Sequence, residues 1–148
     1  GVQSLAIILI LQIAAIIKLD YYAPFVFPLA AFWGRVSQLF AIQYYKYIYK
    51  NGSSSIHKKN WAGISKEVKP SFIVICLAII LFLFFSNLNL SNILLFIICI
   101  LSGLIPSILT PYYINKSLSG HNGDSYGASL VITETTNILL LSIILAPT

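Results

Sequence analysis

Five long apolar runs, separated by short polar stretches, organise this chain: Val2 to Ile17, Tyr22 to Ile42, Ser71 to Phe85, Asn92 to Leu109 and Gly127 to Leu145. None alternates apolar and polar residues with the period of two that marks a half-buried strand. Each approaches the about 17 to 25 residues that a membrane-spanning helix needs, the first and third with help from flanking polar residues at the interface. In hydrocarbon only a helix or a closed barrel satisfies its own backbone, and continuous apolar runs select the helix. The pattern therefore predicts an all-α fold, a polytopic membrane helix bundle with about five transmembrane helices.

Composition supports the bilayer over a soluble core. Of 148 residues, 58% are hydrophobic and only 9% charged, with a mean hydropathy of +0.88, far from the roughly 25% charged residues of an average soluble domain. The polar residues gather in a few short stretches instead of covering helix faces. Cys76 and Cys99 lie inside apolar runs, where a thiol packs as a small hydrophobe. The chain starts at Gly1 and its first run has neither a basic leader nor a small-residue cleavage site. It is expected to be a single integral membrane domain over residues 1–148, the C-terminal part of a longer protein, with the upstream part of that protein as a partner.

Charge sets an expected orientation. Lys46, Lys50, Lys58, Lys59, Lys66 and Lys69 fall between the second and third runs against one acid, Glu67, so this loop is expected in the cytoplasm of a cell (inner) membrane protein. Counting spans puts the Lys18 to Tyr21 and Ser86 to Ser91 turns outside and Thr110 to Tyr126 inside. Tyr44, Tyr45, Tyr47 and Tyr49 follow the second span, and Tyr112 and Tyr113 the fourth, as headgroup-level anchors. Asn51 to Ser55 reads as a flexible stretch. Trp61, Ile64 and Val68 recur at helical spacing among lysines, which suggests a short interfacial helix attracted to anionic lipid. The net charge of +5 comes from this loop and calls for no nucleic acid, since no base-stacking aromatics are interleaved with it.

Two charges lie inside spans, where ionised groups are costly and mark functional sites by default. Arg35 stands roughly 12 Å from the cytoplasmic end of its helix and Glu134 roughly 10 Å below the same face, at 1.5 Å per residue. They are expected at one level and paired across helices. Ser129, Thr133 and Thr136, with Glu134 and Asn137 beside them, make an inward polar stripe, which for the hydroxyls alone reads as interhelical hydrogen bonding.

The stretch Ser117 to Ser129, with Gly120, Gly123 and Gly127 around His121, Asn122 and Asp124, interrupts the apolar pattern just before the last span. Glycines there permit positive φ and close backbone approach, and the helix starting near Ser125 presents its positive end, so a phosphate fits at this mouth. A carboxylate beside phosphates suggests Mg²⁺, which takes one or two carboxylates and substrate oxygens. The stretch lacks the Lys of a P-loop, and His121, with no second His or Cys nearby, does not suggest zinc.

Gly120-His121-Asn122-Gly123-Asp124-Ser125-Tyr126-Gly127-Ala128, followed by Glu134 and a Leu-rich span, resembles the C-terminal signature of the cobalamin-5′-phosphate synthase (adenosylcobinamide-GDP ribazoletransferase) family, G-G-x-T-G-D-x-x-G-A. Pro28 to Arg35, with Trp33, Gly34 and Arg35, is similar to that family's span carrying a lone Arg. Ser119 stands where the family usually has Gly, Asn122 where it has Thr, and the family's N-terminal acidic D-x-x-D-type motif has no match here. The resemblance implies a Mg²⁺-dependent transferase joining adenosylcobinamide-GDP to α-ribazole or its 5′-phosphate, with release of GMP, at the lipid bilayer. It implies Asp124, Glu134 and Arg35 as catalytic residues, Asp124 and Glu134 as metal ligands, and Gly120, Asn122, Gly123 and Gly127 as phosphate-binding residues. Two other readings compete with it. A CDP-alcohol-type phosphotransferase shares the site chemistry, but its D-G and G-x-x-x-D-x-x-x-D spacing is not found. A membrane transporter subunit would use Arg35 and Glu134 along a polar path, with Pro106 allowing a broken helix.

Overall fold

The computed structural model describes residues 2–49, 61–85 and 90–145, and these are helical almost throughout. In chain order the helices are α1 (Val2–Leu19), a 3-10 turn (Asp20–Tyr22), α2 (Ala23–Tyr44), α3 (Ile64–Phe85), α4 (Leu90–Leu101), α5 (Leu104–Leu118) and α6 (Gly123–Ile144). Among the described residues, four stretches are long and apolar enough to cross a membrane: Val2–Leu19, Ala23–Tyr44, Ile93–Leu118 and Gly123–Ile144. The third apolar run, 71–85, forms the C-terminal part of the 22-residue α3, so about five crossings result. Lys50, Lys58, Lys59, the Asn51 to Ser55 stretch and residues 86–89 of the expected outer turn lie outside the described residues.

The central helix is α2, which packs on α3, α5 and, most extensively, α6, while α1 packs on α6. Small residues make the closest approach possible, as is usual between membrane helices that gain nothing from the hydrophobic effect in lipid. A Cβ on Gly34 would lie 2.5 Å from the Glu134 Cγ and 3.0 Å from the Leu130 carbonyl oxygen. The apolar core runs along this seam through Ala15, Leu19, Val26, Leu29, Ala30, Trp33, Ile138 and Leu141. Much of the remaining Ile, Leu and Phe surface faces outward, including Val2, Ile10 and Ile17 of α1, which suits hydrocarbon as the solvent.

Several polar side chains on α6 bond within the helix or to its neighbours. The Ser129, Thr135 and Thr136 hydroxyls donate to carbonyls one turn back. Gln12 of α1 donates to Thr135 Oγ1 at 2.8 Å, Ser37 of α2 to the Ser129 carbonyl at 3.3 Å, and Asn137 Nδ2 to Ser102 Oγ at 2.8 Å. The inward stripe therefore runs through Ser129, Thr133 and Asn137, each fully buried. Thr133 Oγ1 and Asn137 Oδ1 have no hydrogen-bond partner among the described residues.

Two elements differ from the sequence expectation. The fourth span is not one helix: it breaks at Ser102 and Gly103, and α5 then continues to Leu118, so Tyr112 and Tyr113 lie within a helix instead of after it. Pro106 supplies no N–H for the Ser102 carbonyl, and a side chain at position 103 is barred because its Cβ would lie 2.1 Å from the Trp33 ring. Nor is there a separate interfacial helix around Ile64 and Val68. These residues form the first turns of α3, entered through Gly63 at φ 97°, and Ile64 N–H donates to Gln43 Oε1 at 3.0 Å.

Candidate functional site

The polar mouth is built where the segment after α2 meets the α5–α6 connection. Ser119 ends α5 at φ 57° and Gly120 follows at φ 146°. A Cβ on Gly120 would lie 2.7 Å from Ile48 Cγ1 and 2.8 Å from the Lys46 carbonyl oxygen, so this glycine is buried against the chain and its lack of a side chain serves that approach. It is not open to a phosphate. The contact is sealed by two backbone hydrogen bonds, His121 N–H to the Lys46 carbonyl at 2.8 Å and Ile48 N–H to the His121 carbonyl at 2.9 Å.

Asn122 is the N-cap of α6. Its Oδ1 accepts from Ser125 N–H at 2.7 Å, and its own N–H donates to Ser125 Oγ at 2.8 Å, a capping box with Ser in the place usually held by Glu or Gln. The Asn122 Oδ1 is thus committed to the cap, while the residue also lines the groove that holds Asp124. Of the first-turn donors of α6, the cap leaves the N–H groups of Gly123 and Asp124. Gly127, one turn further, is exposed, and a Cβ there would meet nothing within 4 Å.

Asp124 is exposed and lines a groove of about 450 Å³ together with Tyr113, Ser117 and Leu118 of α5 and Asn122 and Ala128. A second groove of about 430 Å³ continues deeper between α5 and α6 past Thr110 and Thr136, sharing Tyr113, Ile114 and Ile132 with the first. An acidic residue in the first turn also complements the helix dipole, so Asp124 sits comfortably even without a ligand.

Arg35 and Glu134 do occupy one level, since Gly34 beside Arg35 abuts Glu134. The expected ion pair is absent: among the described residues Arg35 Nη1 donates to Gln38 Oε1 at 2.6 Å, and its side chain points to the exposed side of α2. Neither Arg35 nor Glu134 lines the groove that holds Asp124. Ten residues of helix separate Asp124 from Glu134, about 15 Å of rise at 1.5 Å per residue, so a single ion cannot take both carboxylates. The three charges do not converge on one point. Asp124 alone retains the fit to Mg²⁺, as a single exposed carboxylate beside unused backbone donors, with the rest of the shell left to substrate oxygens.

Six tyrosines were expected to anchor in the headgroups, and the structure divides them into two sets. Tyr44, Tyr49, Tyr112 and Tyr113 are exposed, but Tyr45 and Tyr47 turn inward. Tyr45 stacks on His121 with ring centroids 5.4 Å apart, His121 stacks on Tyr126 at 5.4 Å, and Tyr47 stacks on Tyr126 at 6.1 Å. Burial, with Tyr112 nearby, pushes the Tyr45 hydroxyl above its ordinary range. The signal in the sequence is an alternation, Tyr45 and Tyr47 inward against Lys46 and Ile48 outward, the period of an extended segment. Nothing in the sequence singles out His121, which is fully buried.

With this geometry in place, comparison with known proteins is decisive. The family model described as Cobalamin-5-phosphate synthase matches residues 1–142. The chain belongs to this family. It is 43% identical over 150 residues to an adenosylcobinamide-GDP ribazoletransferase of Prochlorococcus marinus strain SARG, covering 98% of this chain and 56% of the relative. A relative of the same name from Prochlorococcus marinus strain MIT 9303 is 37% identical over 147 residues, with the same 98% and 56% coverage. One from Trichormus variabilis is 30% identical over 144 residues, covering 97% of this chain and 56% of the relative. The chain thus spans about half the length of the curated relatives it matches. No solved structure matches.

Proposed function

We propose that this chain is a membrane-embedded part of a transferase that joins adenosylcobinamide-GDP to α-ribazole, or its 5′-phosphate, and releases GMP. The observation that carries the reading is the match to adenosylcobinamide-GDP ribazoletransferases over 98% of the chain, at up to 43% identity. In this reaction a ribose hydroxyl oxygen of the acceptor forms a bond to the phosphorus attached to cobinamide. The pyrophosphate P–O bond to GMP breaks, and the hydroxyl proton passes to a base.

Such a transfer needs positioning and charge neutralisation more than covalent help. Asp124 is the residue proposed to hold Mg²⁺, which when bound would neutralise charge on the diphosphate. The N–H groups of Gly123 and Asp124, at the positive end of α6, are proposed to meet a phosphate oxygen, and the open backbone face at Gly127 leaves room for the substrate's approach. Its separation from Asp124 removes Glu134 from the metal set and from proton transfer at a phosphorus held there. Arg35, on the exposed side of α2, is proposed to meet a polar group outside these helices, because an ionised guanidinium inside a span is costly to leave facing lipid. The mouth is proposed to open to the cytoplasm of the cell (inner) membrane, on the side of the lysine-rich loop.

Full-length protein supplied with adenosylcobinamide-GDP, α-ribazole and Mg²⁺ is expected to release GMP. Asp124→Asn is expected to reduce that release about a hundredfold or more without loss of membrane insertion. Full turnover by Asp124→Asn would remove Asp124 from the site, and no GMP release by the wild-type protein would overturn the reading as a whole.

A further inference from the structure

His121 is tied to every segment that forms the mouth. Its ring is fully buried and sandwiched between Tyr45, at an interplanar angle of 28°, and Tyr126, at 9°. Its Nε2 lies 3.0 Å from the Pro111 carbonyl oxygen of α5, and its Nδ1 lies 3.0 Å from Ser125 Oγ of α6. A carbonyl can only accept, so the proton is assigned to Nε2, and in the neutral ring Nδ1 shares the single Ser125 hydroxyl proton with the Asn122 carbonyl, which also lies 3.0 Å from Oγ. The backbone of the same residue pairs with Lys46 and Ile48.

The groove holding Asp124 has α5 for one wall and the N-terminal half of α6, from its cap to Ile132, for the other. The imidazole is the side chain that bonds to both: to α5 through Pro111, and to the α6 cap through Ser125, the residue next to Asp124. We propose that His121 is a positioning residue that fixes the Asp124 carboxylate at the groove mouth by locking the first turn of α6 to α5. The catalytic part of this inference rests on the reading of Asp124 given above; the geometric part does not. A misplacement of about 1 Å in a supporting shell is enough to cost on the order of a hundredfold in rate.

The test uses the full-length protein and two readouts. A nitroxide on Asp124→Cys reports the mobility of the first turn, and GMP release, measured in chains that keep Asp124, reports the chemistry. His121→Phe keeps the ring stack and loses both side-chain hydrogen bonds. It is expected to loosen the nitroxide and to lower kcat about tenfold to a hundredfold, with KM little changed. His121→Gln, whose amide reaches the Pro111 carbonyl, is expected to recover much of both. Unchanged nitroxide mobility in a folded His121→Phe protein overturns the positioning, whatever the activity. A loosened nitroxide supports it even where Asp124→Asn proves fully active, an outcome that would fell the catalytic reading alone. If His121→Phe does not insert, His121→Gln is compared with His121→Ala: the nitroxide is expected to stay immobile in the first and loosen in the second, and equal mobility overturns the proposal.

Discussion

Asn122 and Ser125 exchange two hydrogen bonds of 2.7 and 2.8 Å at the start of α6, and this small device determines where Asp124 stands. Removing an N-cap side chain costs about 1 kcal/mol, typically about 0.5 to 2. Asn122→Ala is therefore expected to lower the thermal unfolding midpoint of the detergent-solubilised protein. Asn122→Asp, which still accepts from Ser125 N–H and adds negative charge at a helix N-terminus, is expected to restore it. A side chain whose main role was to hold phosphate would show the reverse in a binding measurement, and little difference in unfolding. Capping also accounts for Asn being accepted at this position, where the resembled pattern has Thr, since both residues cap helices.

At the scale of elements, the decisive joint is the break between α4 and α5. Trp33 of α2 fills the space left by Gly103, and its indole N–H donates to the Ile100 carbonyl at 2.8 Å. The ring therefore seals the frayed end of α4 while packing on the turn that starts α5. Gly103→Ala would drive a methyl group into that ring, an overpacking expected to cost about 1 to 3 kcal/mol. A lowered unfolding midpoint, with altered emission from Trp33 in a Trp61→Phe background, checks this; unchanged stability and emission would mean that the joint yields freely. The helices themselves were legible in the sequence because lipid leaves a continuous apolar run no alternative. The break was less so, because Pro106 and Gly103 show that a helix can end there, while only the Trp33 contact shows why it does. At the mouth, glycines signal close approach without saying to what. Gly120 turned out to approach Lys46 and Ile48, and although the alternation of Tyr45 and Tyr47 hints at an extended segment, its partner His121 lies far along the chain, where no local pattern names it.

For the molecule as a whole, that same pairing decides which segments share an end of the bundle, independently of charge. The parallel bridge between Tyr47 and His121 places the ends of α2 and α5 and the start of α6 at one end of the bundle. The Gln43 to Ile64 hydrogen bond adds the start of α3, with the exposed Lys66 and Lys69. Asp20, between α1 and α2, lies at the far end because α2 runs 22 residues between them, about 33 Å at 1.5 Å per residue and enough to cross the hydrocarbon. In the orientation proposed above, the lysine-rich end is the one that faces the cytoplasm. In a cysteine-free background, Lys46→Cys and Lys116→Cys are expected to react with an impermeant maleimide in inverted vesicles and to be protected in right-side-out ones, with Asp20→Cys showing the opposite pattern. Reaction of Lys46→Cys and Lys116→Cys from opposite sides would contradict the bundle itself. Reaction of both from the outside would leave the bundle standing and reverse only its orientation, moving the Asp124 mouth away from cytoplasmic nucleotide and metal.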